Sequence, residues 1–577
     1  VKPGAAEPLP PNRSLADQFA LLADLIELEG GDPFRISAYR TASARILEAS
    51  ASVAQLALAG RAKELRGIGK TIEGKILEVV NDGEIHALTR RKAEVPVEVA
   101  GFLQLPGMGP KTARRVWREL GITTLADLRL AAERQQLRSL GGLGPKSEQR
   151  ILEALSRPTR AKAPARPLLG SVLPRLRSLA AELAGHPASS SVTVAGSARR
   201  FRETVRDLDL VATSTAPAAL IDAFCALPYA VQVEARGETK ATILGQDGLR
   251  VDLRVVPPAA GGNLLQHFTG SKEHNVALRE DAVRKGLSVS EWGITENESG
   301  TLHTFASEEE VYAYLGYAWI PPELRENRGE LEAARRGELP TLVAVSDLRG
   351  DLHTHTTWSD GKDTLEAMVA AAAARGYAFY AVCDHSQRMR GGRLAEQALE
   401  IERLNEQGPL RLLRGVETNI TLSGELDSPE EELAELDWVV ASLHHGLDRD
   451  PTARLIAAME NPYVDCIGHP TGRKLGRREG AQIDLERVVE KALETGTFLE
   501  INSQPDRLDL RDTQIMAAAG GGLKLVVDSD AHQVAALDYV EYGVGQARRA
   551  WLSADDVVNT RGWDEIERIR KRRRRPA

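Results

Sequence analysis

Apolar residues in the first 160 positions recur three and four apart. SLADQFALLADLIELEG, PFRISAYRTASARILEAS and LRGIGKTIEGKILEVV therefore predict short amphipathic helices over residues 14 to 88. Near Ser190 the period changes to two. SSVTVAG reads as a β-branched strand leading into a turn, RDLDL as a strand carrying Asp207 and Asp209, and LRVDLRVV as an apolar strand interrupted by Asp252. Beyond residue 345 the pattern changes again. DLHTHTTWSD, YAVCDH, LLRGVE, VVASLHH, VDCIGH, TFLEIN and LKLVVDSDAH alternate with helical segments such as LEAMVAAAAARG. Seven strands interleaved with helices predict a parallel β/α barrel with its active site at the C-terminal strand ends. SRPTRAKAPARP (156–167) reads as a linker, and PPELRENRGELEAARRGELP (from 321) as a helical connector with no chemistry of its own.

One helical pattern recurs three times. An apolar helix end is followed by Gly-x-Gly, a nearby lysine and a new helix, at Gly67, Gly69 and Lys70, at Gly107, Gly109 and Lys111, and at Gly142, Gly144 and Lys146. Such a turn leaves backbone N–H groups and a helix N-terminus free to hold a phosphate. A single copy is usually a packing joint. Three copies favour sequence-independent DNA binding and resemble helix-hairpin-helix motifs.

Composition alters this picture little. The chain has 577 residues, enough for about four domains, and a net charge of −8, so any DNA-binding surface must be local. Cys225, Cys383 and Cys466 fit no metal spacing and read as buried thiols in a reducing cytoplasm. No apolar run is long enough to span a membrane, and the first residues lack a signal-peptide core.

Two stretches carry chemistry. In GSARRFRETVRDLDL, residues two apart on a strand share a face, so Asp207 and Asp209 point the same way while Leu208 and Leu210 face a core. With Asp252 they form an oxygen-only set suited to two Mg²⁺ or Mn²⁺ ions for phosphoryl transfer. In the barrel, His353, His355, Asp360, His385, Glu417, His444, His469, Asp530 and His532 lie at or just past strand ends. A lone histidine there is ordinarily structural. Six histidines and three acids supply ligands for about three Zn²⁺, Mn²⁺ or Fe²⁺ ions. His445 and Glu500 are set aside as structural. The basic tail KRRRRPA is either a phosphate contact or a solvated end.

GSARRFRETVRDLDL, VDLR, HFTGSKEHNVALR and KGLSVSEWGI together resemble the palm and thumb of a family X DNA polymerase, related to DNA polymerase beta. The resemblance implies that Asp207, Asp209 and Asp252 are the polymerase metal ligands. It places Gly196, Ser197 and Arg200 at the nucleotide's triphosphate, Phe268, Gly270 and Ser271 at its sugar, Asn275 at the base edge and Arg279 at the template strand. Lys75 falls where the family's lyase domain carries its Schiff-base lysine, although a helix-surface lysine is ordinarily only a solubility residue. Arg206 and His267 stand where the eukaryotic relatives carry glycine and tyrosine. The HxH opening, the GHP and the final DSDAH resemble a polymerase and histidinol phosphatase (PHP) domain, and all nine ligand positions match.

The implied fold is multidomain. It comprises an all-α N-terminal DNA-binding domain (1–88), helix-hairpin-helix fingers (89–160), an α+β nucleotidyltransferase palm (161–258), a small thumb (259–320), a linker (321–346) and a (β/α)7 distorted TIM-like PHP barrel (347–577). The implied function is gap-filling DNA synthesis in repair with metal-dependent 3′-5′ exonuclease activity. Its partners would be gapped or primer-template DNA and deoxynucleoside triphosphates, bound by a cytoplasmic monomer. Three alternatives remain open: a phosphoesterase with a degenerate polymerase half, a nucleotidyltransferase acting on RNA or an antibiotic, and a non-catalytic binder of DNA ends.

Overall fold

In the computed structural model, residues 9–10, 12–49, 52–65, 67–105, 108–140, 143–156 and 166–571 are described. Gly107, Gly142, most of the 156–167 stretch and the tail after Lys571 lie outside them. The chain divides into two units, residues 1–165 with 482–484, and the remainder.

The first unit is helical, as its periodicity predicts. Leu15, Phe19, Leu22 and Ile26 line one face of the helix Asn12–Glu29 and share a core with Ile76, Leu88, Phe102 and Val116. Each such burial stabilises the unit by about 1.5–3 kcal/mol. Two of the Gly-x-Gly turns enter helices as expected. Gly67 adopts φ +94°, and Gly69 and Gly109 are the N-caps of Lys70–Asp82 and Pro110–Leu120, with no side chain capping either end. Their first backbone N–H groups therefore stay open to an anion. Gly144 begins a similar turn, its carbonyl accepting from the Ser147 and Glu148 amides at 2.9 and 3.1 Å.

The second unit contains three sheets. Strands β1 (Ser191–Val194), β2 (Leu208–Thr213), β3 (Ala230–Arg236), β4 (Lys240–Gly245) and β5 (Arg250–Val256) form a sheet in the order β1-β2-β5-β4-β3. β2 and β5 are parallel, and the other pairs are antiparallel. A small antiparallel sheet, β6 (Leu287–Ser290), β7 (Gly293–Glu296) and β8 (Leu302–His303), follows the helices Gly261–Thr269 and Lys272–Arg284. The barrel then runs β9 (Gly350–Asp351), β10 (Phe379–Val382), β11 (Arg411–Asn419), β12 (Trp438–Ser442), β13 (Cys466–Gly468), β14 (Phe498–Asn502) and β15 (Leu525–Asp528), all parallel and in chain order. A parallel bridge between Thr354 and Ala531 joins its first and last segments.

These parts pack as one body. Leu508 and Tyr542 of the barrel enter the core of the five-stranded sheet, and a Cβ on Gly170 would lie 2.2 Å from Pro505 Cβ. The 321–345 stretch is correspondingly more than the helical connector its charge pattern suggests. Its only α-helix is Glu330–Arg336, and Arg325 and Glu330 are completely buried. Arg325 donates to Glu308 at 2.5 Å, and Glu330 pairs with the buried His274 at 2.7 Å. The charges in this stretch serve interior pairs, which sequence pattern cannot distinguish from a solvated face. Cys383 and Cys466 are buried free thiols, whereas Cys225 is partly exposed, correcting the expectation for that residue.

Against its burial, Arg325 and Arg199 hold the Glu308 carboxyl down to about 2. A depressed folded-state pKa gives stability that is present above the ordinary value of 4.5 and lost as pH falls through about 2. Thermal melting across that window should therefore show a steep acid loss. In Glu308→Gln the melting temperature should start lower and fall less steeply.

Candidate active sites

The first site is assembled where β1, β2 and β5 meet. Gly196 adopts φ +62°, and a Cβ there would lie 2.2 Å from Asp209 Oδ2, so both backbone and space demand glycine. Asp209 and Asp252 face each other in the parallel register of β2 and β5. Asp207 corrects the expectation of two aspartates on one strand. β2 begins only at Leu208, its first residue paired with β5, leaving Asp207 ahead of the strand with its side chain 67% exposed. Arg206 is also exposed, with Nε 3.9 Å from Asp207 Oδ2.

Burial, and then the charges of Asp252 and Asp207, push the Asp209 carboxyl up to about 7. The Thr242 hydroxyl donates to Asp252 Oδ1 at 2.5 Å. Asp209, raised by two acidic neighbours and offering oxygen donors with them, fits a hard divalent cation.

Around these acids, the expected nucleotide contacts fall into two groups. Ser197 lies in the short helix Gly196–Arg199 and is partly exposed. Phe268 lies under the Arg254 guanidinium, 5.3 Å from ring centroid to Cζ, with His267 beside it. Gly270 adopts φ +69°, and Ser271 caps Lys272–Arg284 by accepting from the His274 amide at 3.2 Å. Other side chains are already engaged internally. Asn275 is buried between Gln266 and the His267 carbonyl, at 2.9 and 2.7 Å, rather than presented to a base. Arg279 Nε donates to the Asn275 carbonyl at 3.1 Å. Arg200 is bound to Glu326 at 3.0 Å and to the Thr269 carbonyl.

The second site lies at the C-terminal ends of the barrel strands and gathers all nine expected residues. Among the described residues, three groups bring potential ligand atoms within 4.8 Å of one another: His355, Asp360, His385 and His532; His353, His355 and Asp530; and His385, Glu417 and His444. The remaining histidine, His469, has Nε2 3.0 Å from Glu417 Oε1. The parallel strands bring most of these side chains together because they lie at or just past strand ends, while Glu417 lies within β11 and Asp360 reaches in from the turn after β9.

The donor set fits transition-metal ions. His353 Nε2, both ring nitrogens of His355 and His469 Nδ1 are buried without a hydrogen-bond partner, a costly arrangement unless these atoms serve another purpose. Burial, with the His532 charge, holds His355 down to about 4, and burial with Arg507 holds His469 down to about 3. Both are thus neutral near pH 7, with lone pairs for coordination. Glu417, against its burial, is held well below the usual carboxylate range by His444, His353 and His385.

Residues outside the nine orient them. Glu500, set aside as structural from sequence, accepts from His353 Nδ1 at 2.6 Å and from the His469 amide at 2.5 Å. Asn419 contacts His444 Nδ1 at 2.6 Å, and Asn502 donates to Asp530 at 3.0 Å. His445, by contrast, offers only its backbone carbonyl, to Arg454. Glu500→Gln should lower metal-dependent turnover about 10- to 100-fold, the usual cost of an outer partner. Metal titration alongside the rate would show whether affinity falls with it. A cavity of about 450 Å³ opens over the cluster, with Lys474, Gln504 and Arg507 on its wall. This size suits a nucleotide-sized ligand, and the basic residues suit phosphate.

In the helical unit, Lys75 is less exposed than expected. Its side chain is 14% accessible, and Nζ lies 3.9 Å from Glu78 Oε1.

Comparison with known proteins matches four families to successive parts of the chain. They are a helix-hairpin-helix domain (residues 10–85), a SAM-like helix-hairpin-helix tandem (100–157), the DNA polymerase beta thumb (264–326) and the PHP domain (351–504). A Bacillus subtilis protein named DNA polymerase/3′-5′ exonuclease PolX is 37% identical over 563 residues, covering 96% of this chain and 98% of that protein. A probable phosphatase of Thermoanaerobacter sp. is 33% identical over 226 residues, covering 36% of this chain and 89% of its own. With helix-hairpin-helix, thumb and PHP matches in the same order as the folded parts, and a relative aligned from end to end, the chain belongs to the PolX family of DNA polymerases with a C-terminal PHP domain.

Proposed function

We propose that the chain is a DNA polymerase with 3′-5′ exonuclease activity that fills short gaps during repair, with the two reactions at separate sites. The observation that carries this reading is that one chain holds two separate clusters of candidate ligands, Asp209 facing Asp252 on neighbouring strands and the histidine-rich groups of the barrel, each with its own donor chemistry.

At the first site Asp207, Asp209 and Asp252 would hold Mg²⁺ or Mn²⁺, which would lower the charge barrier to attack by a primer 3′-hydroxyl on a nucleotide's α-phosphate. Ser197, the 270–271 turn and Phe268, as the nucleotide contacts the resemblance implies, would bind the incoming nucleotide beside these acids. The hairpin N-termini at Gly69 and Gly109 position DNA through its phosphates, independently of sequence.

At the second site the nine residues would hold about three Mn²⁺, Zn²⁺ or Fe²⁺ ions, whose chemistry is phosphodiester hydrolysis. Glu500 and Asn419 fix the His353 and His444 rings. Lys474, paired with Asp506 at 2.9 Å, and Arg507, 3.7 Å from Asp530, would bind the phosphate of a 3′-terminal nucleotide by giving up part of these contacts. The free buried thiols Cys383 and Cys466 support a cytoplasmic location. No helix among the described residues is long and apolar enough to cross a membrane.

One labelled gapped duplex, incubated with and without deoxynucleotides and with Mg²⁺ or Mn²⁺, tests both halves. Primer extension and stepwise loss of 3′ nucleotides are expected. Degradation without extension would favour the phosphoesterase reading, and DNA binding without turnover would favour a scaffold.

A further inference from the structure

The residues that follow the Gly-Ser turn are seated on the barrel. The Phe201 ring lies against Gly545, where a Cβ would stand 2.2 Å from Phe201 Cδ1, and Gln546 donates to the Phe201 carbonyl at 2.9 Å. Both barrel residues belong to the helix Val540–Arg549. At the end of that helix Arg549, only 1% exposed, donates to the Arg200 carbonyl at 2.7 Å and to Glu326 Oε1 at 2.9 Å. Its other guanidinium nitrogen donates to Asp512 at 2.6 Å, and Asp512 also receives Arg328 at 3.0 Å.

Glu326 Oε1 is therefore shared. Arg200 approaches the same oxygen at 3.0 Å, both side chains being 11% exposed, while Arg202 is more distant, 3.8 Å from Oε2. This sharing matters because Arg200 is the side chain assigned to the incoming triphosphate, and it is already paired with a carboxylate. Reaching a triphosphate requires it to leave Glu326. A buried carboxylate stripped of its partner is costly, so the exchange depends on what remains bound to Glu326.

We propose that Arg549 of the barrel is a positioning residue for nucleotide binding at the five-stranded sheet. It keeps Glu326 paired while Arg200 transfers from Glu326 to the triphosphate. The barrel thus sets the availability of a polymerase side chain from outside the polymerase fold. The inference rests on the reading of Arg200 as a triphosphate contact.

Steady-state incorporation on a gapped duplex tests it, with 3′ nucleotide release by the same preparations as the measure of intact folding. Arg200→Ala should raise the KM for deoxynucleotide. If it does not, the assignment of Arg200 is wrong and the inference falls with it. Arg549→Met should raise that KM about tenfold or more with kcat nearly unchanged, because Glu326 then retains Arg200. Arg549→Lys should recover part of the loss. Glu326→Gln removes the competing charge and should leave the KM at or below that of the parent protein. Combined with Arg549→Met, it should restore nucleotide binding. A purely structural role predicts instead that Arg549→Met and Glu326→Gln impair the enzyme in the same direction and worsen each other. An elevated KM in Glu326→Gln, or an unchanged KM in Arg549→Met alongside a raised one in Arg200→Ala, would overturn the proposal. Should Arg549→Met fail to fold, Glu326→Gln alone still decides by the sign of its effect.

Discussion

Asp209→Ala is expected to abolish nucleotide incorporation while 3′-end removal continues. Asp209 is central to its site. It faces Asp252 across the β2–β5 register, and its carboxylate lies where any side chain on residue 196 would have to go. On the proposed assignment, substitution removes a direct metal ligand, which should exceed the roughly 10- to 100-fold loss usual for outer partners. Stability should move the other way. Burial and two neighbouring acids push the Asp209 carboxyl up to about 7, so without metal the charged form strains the fold near neutral pH. Alanine removes that repulsion. Melting in chelator should therefore show the variant at least as stable as the parent, and retained incorporation would sink the assignment.

The second large effect is at Glu417, whose replacement by glutamine should eliminate 3′ nucleotide release and leave extension intact. Five histidines surround this one carboxylate. Oε2 lies 2.7 Å from His385, 3.6 Å from His353 and 3.7 Å from His355, while Oε1 lies 3.0 Å from His469 and 3.4 Å from His444. A carboxylate so placed would help hold the ions of this site. An amide keeps the volume but loses the charge and one acceptor oxygen, so metal content should fall together with activity. Elemental analysis and a degradation assay on the same sample would establish this. If Glu417→Gln also abolished extension in a folded protein, the two reactions would not be separately sited.

The ligand sets were legible because strands and their ends impose simple rules. Most of the barrel histidines and acids follow an apolar run, and a parallel barrel brings such positions to one face whatever their separation in sequence. Asp209 and Asp252 were legible for a related reason, since a lone acid inside an apolar strand calls for a partner. Glu500 was not. It too follows an apolar run, and nothing in TFLEIN distinguishes an acid that binds metal from one that accepts from His353 and the His469 amide. Asn275 and Arg279 keep the spacing of the family pattern, yet their side chains turn to the backbone of their own region.

The sequence by itself determined the order of helical, mixed and barrel segments, the open helix entries at the hairpins and which acids and histidines are candidates for the two sites, though not that Asp207 stands ahead of its strand. These depend on periodicity and on residue type at element ends, which are local properties. Only the tertiary structure decided how the catalytic regions of the second unit are joined. Arg549 meets Glu326 across 223 residues, Arg473 meets Glu203 across 270, and the segment expected to be an inert connector supplies the buried carboxylate between them. A buried ion pair leaves no periodic trace in either partner's neighbourhood, because its stability depends on desolvation and proximity that exist only once the chain has folded.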